Sequence, residues 1–278
     1  MSFRTYRDLA GPDGSRIVEQ VGAQRARVQR RLRSVRRVVA VMSGKGGVGK
    51  SFVTAALARL AAARWPSRVG VLDADLRSPT VARLLGAAGP LRVTDAGVQP
   101  ATGGVGVRVI STEFLLESGH PLRWREPDTE QFVWRGTLEA AVLREFLGDV
   151  LWGDLDLLLV DLPPGADGVA DLRELVPQLT GALAVTIPTD EAQQSVTRAL
   201  RAAAEAGIRL LGVIENMAGY RCGGCGHTGP LFPGSAGSGV AAALGIPLLT
   251  RIPFLAAGSH AGPVFDGDGS ARVFEVLG

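Results

Sequence analysis

The sequence predicts an α/β fold of three layers, a mostly parallel sheet covered by helices on both faces. Three observations predict it. Apolar runs of strand length alternate with helix-length segments along the chain. Runs such as 37–42 (RVVAVM) and 210–214 (LLGVI) are apolar on both faces, as strands buried on two sides must be. A glycine-rich turn, SGKGGVGKS from Ser43 to Ser51, sits between the first such run and a helical stretch.

The elements follow in order. Residues 15–35 read as a helix, because Val18, Val21, Val28, Leu32 and Val35 form one apolar stripe and arginines fill the other faces. That stripe is expected to pack on the main domain or on a partner, with binding to a membrane surface or nucleic acid as the lesser reading. A buried strand over 37–42 precedes the turn, and an alanine-rich helix over 51–64 follows it. Further strands are expected at 68–72, 105–110, 155–160, 183–187, 210–214 and 248–252. Helices are expected at 137–151, 191–206 and 235–244. With no internal repeat and no linker, residues 36–278 read as one α/β domain and 1–35 as a basic amphipathic extension.

Composition excludes several classes. A chain of 278 residues, 46% hydrophobic and 21% charged, can bury a sizeable core and matches an ordinary globular protein. The net charge is only +3, and the excess is local: Arg25 to Arg37 holds seven arginines and no acid. Charge therefore gives no argument for a nucleic-acid partner. The apolar stretches are strand-sized, far below the ~20 residues of a membrane helix. The start of the chain lacks the apolar segment of a secretion signal. A secreted disulfide scaffold would carry more than the two cysteines found here. The expectation is a cytoplasmic protein with no membrane partner.

The turn carries the first chemistry. Gly44, Gly49, Lys50 and Ser51 match G-x-x-x-x-G-K-[ST] in the strand-to-helix context that this phosphate-binding loop needs. Its glycines, Gly44, Gly46, Gly47 and Gly49, let the backbone curl so that N–H groups from Lys45 to Phe52, Val48 included, point at phosphate oxygens. The following helix adds its positive end. Lys50 would reach the β- and γ-phosphates and Ser51 would ligate Mg²⁺. Of the 30 lysines and arginines only Lys45 and Lys50 are lysines. A compact ammonium fits among crowded phosphate oxygens where a planar guanidinium is too broad.

Lys45 lies outside the general motif. KGGVGKS resembles the variant loop of the MinD, ParA and nitrogenase iron-protein ATPases. The resemblance implies that Lys45 reaches across a homodimer to the partner's phosphates. Asp73 and Asp75 (VLDADLRSPT) and Asp161 (LLLVDLPPG) stand at the C-terminal ends of expected strands, where α/β sheets place ligands. The resemblance implies that Asp75 orients the attacking water and Asp161 holds Mg²⁺ through water. It also makes the Pro-Pro-Gly after Asp161 a loop that senses the γ-phosphate. Asp73 fits a cap or turn role about as well as a catalytic one.

Both cysteines, Cys222 and Cys225, lie in CGGC, in the loop after the 210–214 strand. A redox dithiol would start a helix, and none starts here. A zinc site within one chain falls short of four ligands, with His227 reading as a loop residue. An iron–sulfur cluster is typically held by four thiolates, so it would need a second chain. A metal site shared between two chains fits the spacing, with iron–sulfur and zinc both open. Such a site asks for the same symmetric dimer as Lys45 does.

Taken together, SGKGGVGKS, DADLRSPT, VWRGTL, WGDLDLLLVDLPPG, ENMAGYRCGGCGH and IPLLTRIPF resemble, in order and spacing, the Mrp/ApbC-type iron–sulfur cluster carriers over about residues 36–265. The resemblance implies a P-loop NTPase fold, ATP binding and hydrolysis, and a homodimer. It also implies a [4Fe–4S] cluster bridged by Cys222 and Cys225 of both subunits and passed to apo-proteins, and an adenine contact from Asn216. Three positions depart from the family pattern: Phe52 replaces a hydroxyl residue, Ala166 removes another and displaces Asp167 by one, and His260 stands where aspartate is common. The alternative is a positioning or regulatory ATPase of the MinD/ParA kind, with a structural zinc at the cysteine pair.

Overall fold

The computed structural model describes residues 17–76, 78–115, 131–255 and 264–278. Eleven strands and eight helices run through these residues. They begin with α1 (Ile17–Leu32), β1 (Val38–Ser43), α2 (Lys50–Arg64), β2 (Val69–Asp73) and α3 (Val81–Leu84). Next come the hairpin β3 (Arg92–Thr94) and β4 (Gly97–Gln99), then β5 (Ala101–Thr102), β6 (Arg108–Ile110), α4 (Gln131–Asp149), β7 (Leu157–Asp161) and α5 (Asp167–Leu175). The chain continues through β8 (Leu179–Thr186), α6 (Asp190–Glu205), β9 (Leu210–Arg221), β10 (Thr228–Gly229), α7 (Ala236–Leu244), β11 (Leu248–Leu255) and α8 (Gly267–Leu277).

Nine of the strands form one sheet, in the order β10-β9-β8-β1-β7-β2-β6-β5, with β11 also paired to β9. In this sheet all pairings between β11 and β6 are parallel, and β5 and β10 pair antiparallel at its two ends. The three expected layers are present. Alternate residues of a strand face opposite sides, and in β1 Val38, Ala40 and Met42 join one apolar cluster while Val39 and Val41 join the other. Residues of α1, α4, α5, α6 and α7 fill the first cluster; residues of α2, α3 and α8 fill the second. Among the described residues no helix is long and apolar enough to cross a membrane.

The arginine-rich helix packs on the domain. Val28 and Leu32 of α1 are buried with Leu143 and Leu147 of α4. Three of its arginines find partners within the chain: Arg25 pairs with Glu174 at 3.2 Å and Arg27 with Asp149 at 3.0 Å. Arg31 donates to the carbonyl of Gly148 at the end of α4, where a cation is favoured, and to that of Ala96 in the β3–β4 turn. Val18 and Val21 of the expected stripe are side chains outside the described set.

Some boundaries differ from expectation, for physical reasons. The strand expected at 105–110 begins only at Arg108, because Gly104–Gly106 turns tightly and Val105 adopts φ 54°. Strand β9 runs seven residues beyond the apolar stretch. There it pairs with β11, Phe254 against Tyr220 and Leu255 against Arg221, an order that the polar ENMAGYR does not announce by periodicity. Helices α5 and α8 carry breakers that mask them. In α8, Asp266 caps the helix by accepting from Gly269 N at 2.5 Å, while Val273 and Leu277 are buried.

Candidate functional site

Strand order assembles the site. The parallel neighbours β7-β2 place Asp73 directly beside Asp161, and β1 delivers the chain into the glycine turn at the same sheet edge. A pocket of about 490 Å³ opens over that edge, within the size range of small-ligand sites. Lys45, Lys50, Ser51, Phe52, Asp75, Thr80, Arg83 and Pro164 line it, together with the turn itself.

The turn is shaped by two glycines in left-handed geometry, Gly47 and Gly49, each at φ 79°. A Cβ added at Gly46 or Gly47 would meet nothing within 4 Å, so the loop faces open space. Gly44 and Gly49 instead abut other chain segments. A Cβ at Gly44 would collide with the backbone of Ser195 and Val196 in α6, and Ser195 Oγ donates to Gly44 O at 2.6 Å. A Cβ at Gly49 would collide with Asn216 Nδ2, which donates to Val48 O at 2.9 Å. The loop is thus clamped from α6 on one side and from β9 on the other.

Lys50 is 6% exposed and Asp161 fully buried. Lys50 Nζ lies 2.8 Å from Asp161 Oδ2 as an ion pair, but without an acceptor aligned for a hydrogen bond. A buried ammonium with unspent donors at a pocket wall suits an anion. Ser51 Oγ donates to Asp161 Oδ2 and Thr54 Oγ1 to Asp161 Oδ1, both at 2.6 Å. These hydroxyl and carboxylate oxygens form the hard donor set that fits Mg²⁺. Gly165 N donates to Ser43 O at 2.9 Å, which ties the Pro-Pro-Gly segment to the start of the turn.

Asp73 is buried, and Oδ2 accepts from Thr80 N at 3.0 Å, Val81 N at 3.2 Å and Ser111 Oγ at 3.2 Å. Oδ1 has no partner. Burial, reinforced by the negative charge of Asp161, pushes its carboxyl up to about 7. The folded state therefore holds this proton more tightly than the unfolded chain, so stability from Asp73 is full below about pH 4 and falls as pH rises through 7. Between pH 5.5 and 8 the nucleotide-free protein is expected to lose about 2 kcal/mol from this group. Asp73→Asn should flatten that slope, as urea midpoints at the two pH values would reveal; an unchanged slope would rule Asp73 out as its source.

The remaining predicted residues lie nearby. Lys45 lies at the pocket mouth, close enough to Glu191 of α6 to help lower that carboxyl, after the Glu191 backbone N–H and the Thr189 hydroxyl. Asn216 is buried under the turn, with its amide on Val48, and is not among the residues lining the pocket. His260 lies outside the described residues. Local signals missed Thr54 and Ser195. Thr54 stands three residues after Ser51 and four after Lys50, a spacing that puts all three on one helical face. Ser195 has no such local cue.

The cysteines occupy the turn between β9 and β10. Cys222 N donates to His227 O at 2.8 Å and Gly226 N to Cys222 O at 2.9 Å, with Gly226 at φ 70° closing the turn. Backbone N–H groups of Cys225 and Gly224, joined by the Cys225 side chain, lower the Cys222 thiol from its usual value. Thiolate is the metal-binding form, so the loop prepares a soft ligand. Both thiols are free and accessible. Among the described residues, no group of three or more His, Cys, Asp or Glu could hold a metal within the one chain. Strand β9 joins the two features: Asn216 touches the phosphate loop, and six residues on the strand has ended and delivers Cys222.

Known proteins resemble this chain in sequence and in fold. The family model described as ParA: NUBPL iron-transfer P-loop NTPase matches residues 34–263. An iron-sulfur cluster carrier protein of Saccharolobus solfataricus is 36% identical over 243 residues, covering 87% of this chain and 79% of that one. The human cytosolic Fe-S cluster assembly factor NUBP2 is 38% identical over 228 residues, covering 80% of each. A nucleotide-binding protein of Archaeoglobus fulgidus, solved with ADP and with cobalt, superposes with a TM-score of 0.64 at 31% identity, covering 91% of both chains. The cell-division ATPase MinD of Pyrococcus furiosus shares the fold, with a TM-score of 0.54 at 21% identity over 87% of this chain and 98% of that one.

Proposed function

Because this chain belongs to the NUBPL iron-transfer P-loop NTPases of the ParA group, we propose that it is an ATP-driven iron–sulfur cluster carrier of the cytoplasm. Two copies hold one [4Fe–4S] cluster as cargo between their Cys222 and Cys225 thiolates and pass it to apo-proteins. The observation that carries this reading is the continuity of β9, which runs from the phosphate loop at Asn216 to the cysteine turn. An accessible pair of thiols, half the usual ligand count for a cluster, calls for a second pair.

In this reading the loop N–H groups and Lys50 hold the triphosphate and Lys45 completes the partner's pocket, while Asn216, whose amide donates to Val48 O, supports the loop from beneath. Phe52 serves only through its backbone N–H. Ser51 and Asp161 would hold Mg²⁺, which when bound neutralises phosphate charge. Asp75 orients a water that attacks the γ-phosphorus; the bond to the β–γ bridging oxygen breaks, leaving ADP, phosphate and a proton. Clients are apo-proteins that present free thiolates.

Anaerobic reconstitution with iron and sulfide tests the proposal. The expected product is brown, with a broad shoulder at about 400 nm, roughly four irons per two chains and the mass of a dimer. Colourless protein binding half a zinc per chain would overturn it in favour of a structural metal site.

A further inference from the structure

Asp161 accepts from two hydroxyls and pairs with one ammonium, all from the first turns of α2. Ser51 and Lys50 both address Oδ2, at 2.6 and 2.8 Å. Thr54 alone addresses Oδ1, at 2.6 Å. Thr54 is fully buried and does not line the pocket. Its hydroxyl has one proton and two neighbours, the carboxylate and the Lys50 carbonyl at 3.0 Å. The nearer, charged acceptor takes it, since bonds to an ionised oxygen are the shorter and stronger ones.

The two oxygens therefore have different futures. On the reading above, on which this inference rests, a metal–nucleotide complex claims the Ser51 hydroxyl and the Lys50 ammonium. Lys50 then turns from Oδ2 to the phosphates, and the Ser51 oxygen gives a lone pair to the metal while its proton stays available to Asp161. Thr54 stands behind the loop, where no ligand competes for it. We propose that Thr54 is a positioning residue of the nucleotide site: it fixes the Asp161 carboxylate plane toward Mg²⁺ once Lys50 has turned to the phosphates and the Ser51 oxygen to the metal. The position of Thr54 depends on helix phase alone, one turn after Lys50.

The test uses a fluorescent ATP analogue, titrated on the full chain in EDTA and again across a Mg²⁺ series. Wild type should bind more tightly with Mg²⁺. Thr54→Val keeps the shape and removes the donor, so its affinity in EDTA should change little. Its half-saturating Mg²⁺ should rise about tenfold, the scale on which partners of a metal ligand act. Thr54→Ser restores the hydroxyl and should return the wild-type Mg²⁺ curve. If Thr54→Val does not fold, Thr54→Ala is read in the same two titrations. The inference is overturned by a wild-type Mg²⁺ curve in the Val or Ala variant. It is equally overturned by equal losses with and without metal, or by failure of Ser to rescue. Wild type that binds no analogue, or gains nothing from Mg²⁺, overturns the function reading instead.

Discussion

Cys222→Ser is expected to emerge colourless from anaerobic reconstitution while binding nucleotide as the parent does. Serine matches cysteine in shape, so the turn should survive: its backbone bonds, Cys222 N to His227 O and Gly226 N to Cys222 O, do not involve sulfur. The ligand is lost all the same. A thiol whose ionisation is eased by the N–H groups of Cys225 and Gly224 gives a soft anion. A hydroxyl there stays protonated and hard, a poor match for iron in a cluster. In the proposed two-fold dimer each substitution would remove two ligands of four, so iron per chain should fall to near zero. Nucleotide binding is spared because the turn and the pocket share no lining residue. Iron analysis and the visible spectrum decide it, and a brown variant would mean that Cys222 is not a ligand.

Lys50→Ala should abolish turnover and also weaken the fold. Phosphate release should drop on the order of a hundred- to a thousandfold, the loss typical when one preorganised charge-stabilising group is removed. The second effect comes from Asp161, fully buried at 2.8 Å from the ammonium. Deleting one partner of a buried pair strands the other charge, at a cost of about 3 kcal/mol. The hydroxyls of Ser51 and Thr54 still donate and keep the cost from growing further. The two effects separate in a double variant. Lys50→Ala with Asp161→Asn removes both charges, so the urea midpoint should recover while phosphate release stays absent. A double variant no more stable than Lys50→Ala would show that the ion pair contributes nothing to the fold.

Particular elements show where local reading works and where it stops. The expected strand at 37–42 and helix at 51–64 lie within one residue of β1 and α2, because an unbroken apolar run and an alanine-rich stretch after a glycine turn are signals carried by near neighbours. The strand at 210–214 has the right start and misses seven residues, because those residues are ordered by β11 rather than by their own pattern. The arginine-rich stretch reads as a helix at once, yet partners of its charges, among them Glu174, Asp149 and the Gly148 carbonyl, lie more than a hundred residues away.

From the order of amino acids alone came the fold class, the phosphate loop with its two lysines, the acidic strand ends and the paired cysteines, since each is a pattern over a few consecutive residues. Only the tertiary structure decided that Thr54 grips Asp161, that α6 and β9 clamp the loop at Gly44 and Val48, that Asp73 sits beside Asp161, and that one strand joins the loop to the cysteines. Those facts depend on which strands become neighbours in the sheet. That choice is set by the packing of two apolar faces across the whole chain, not by any local run of residues.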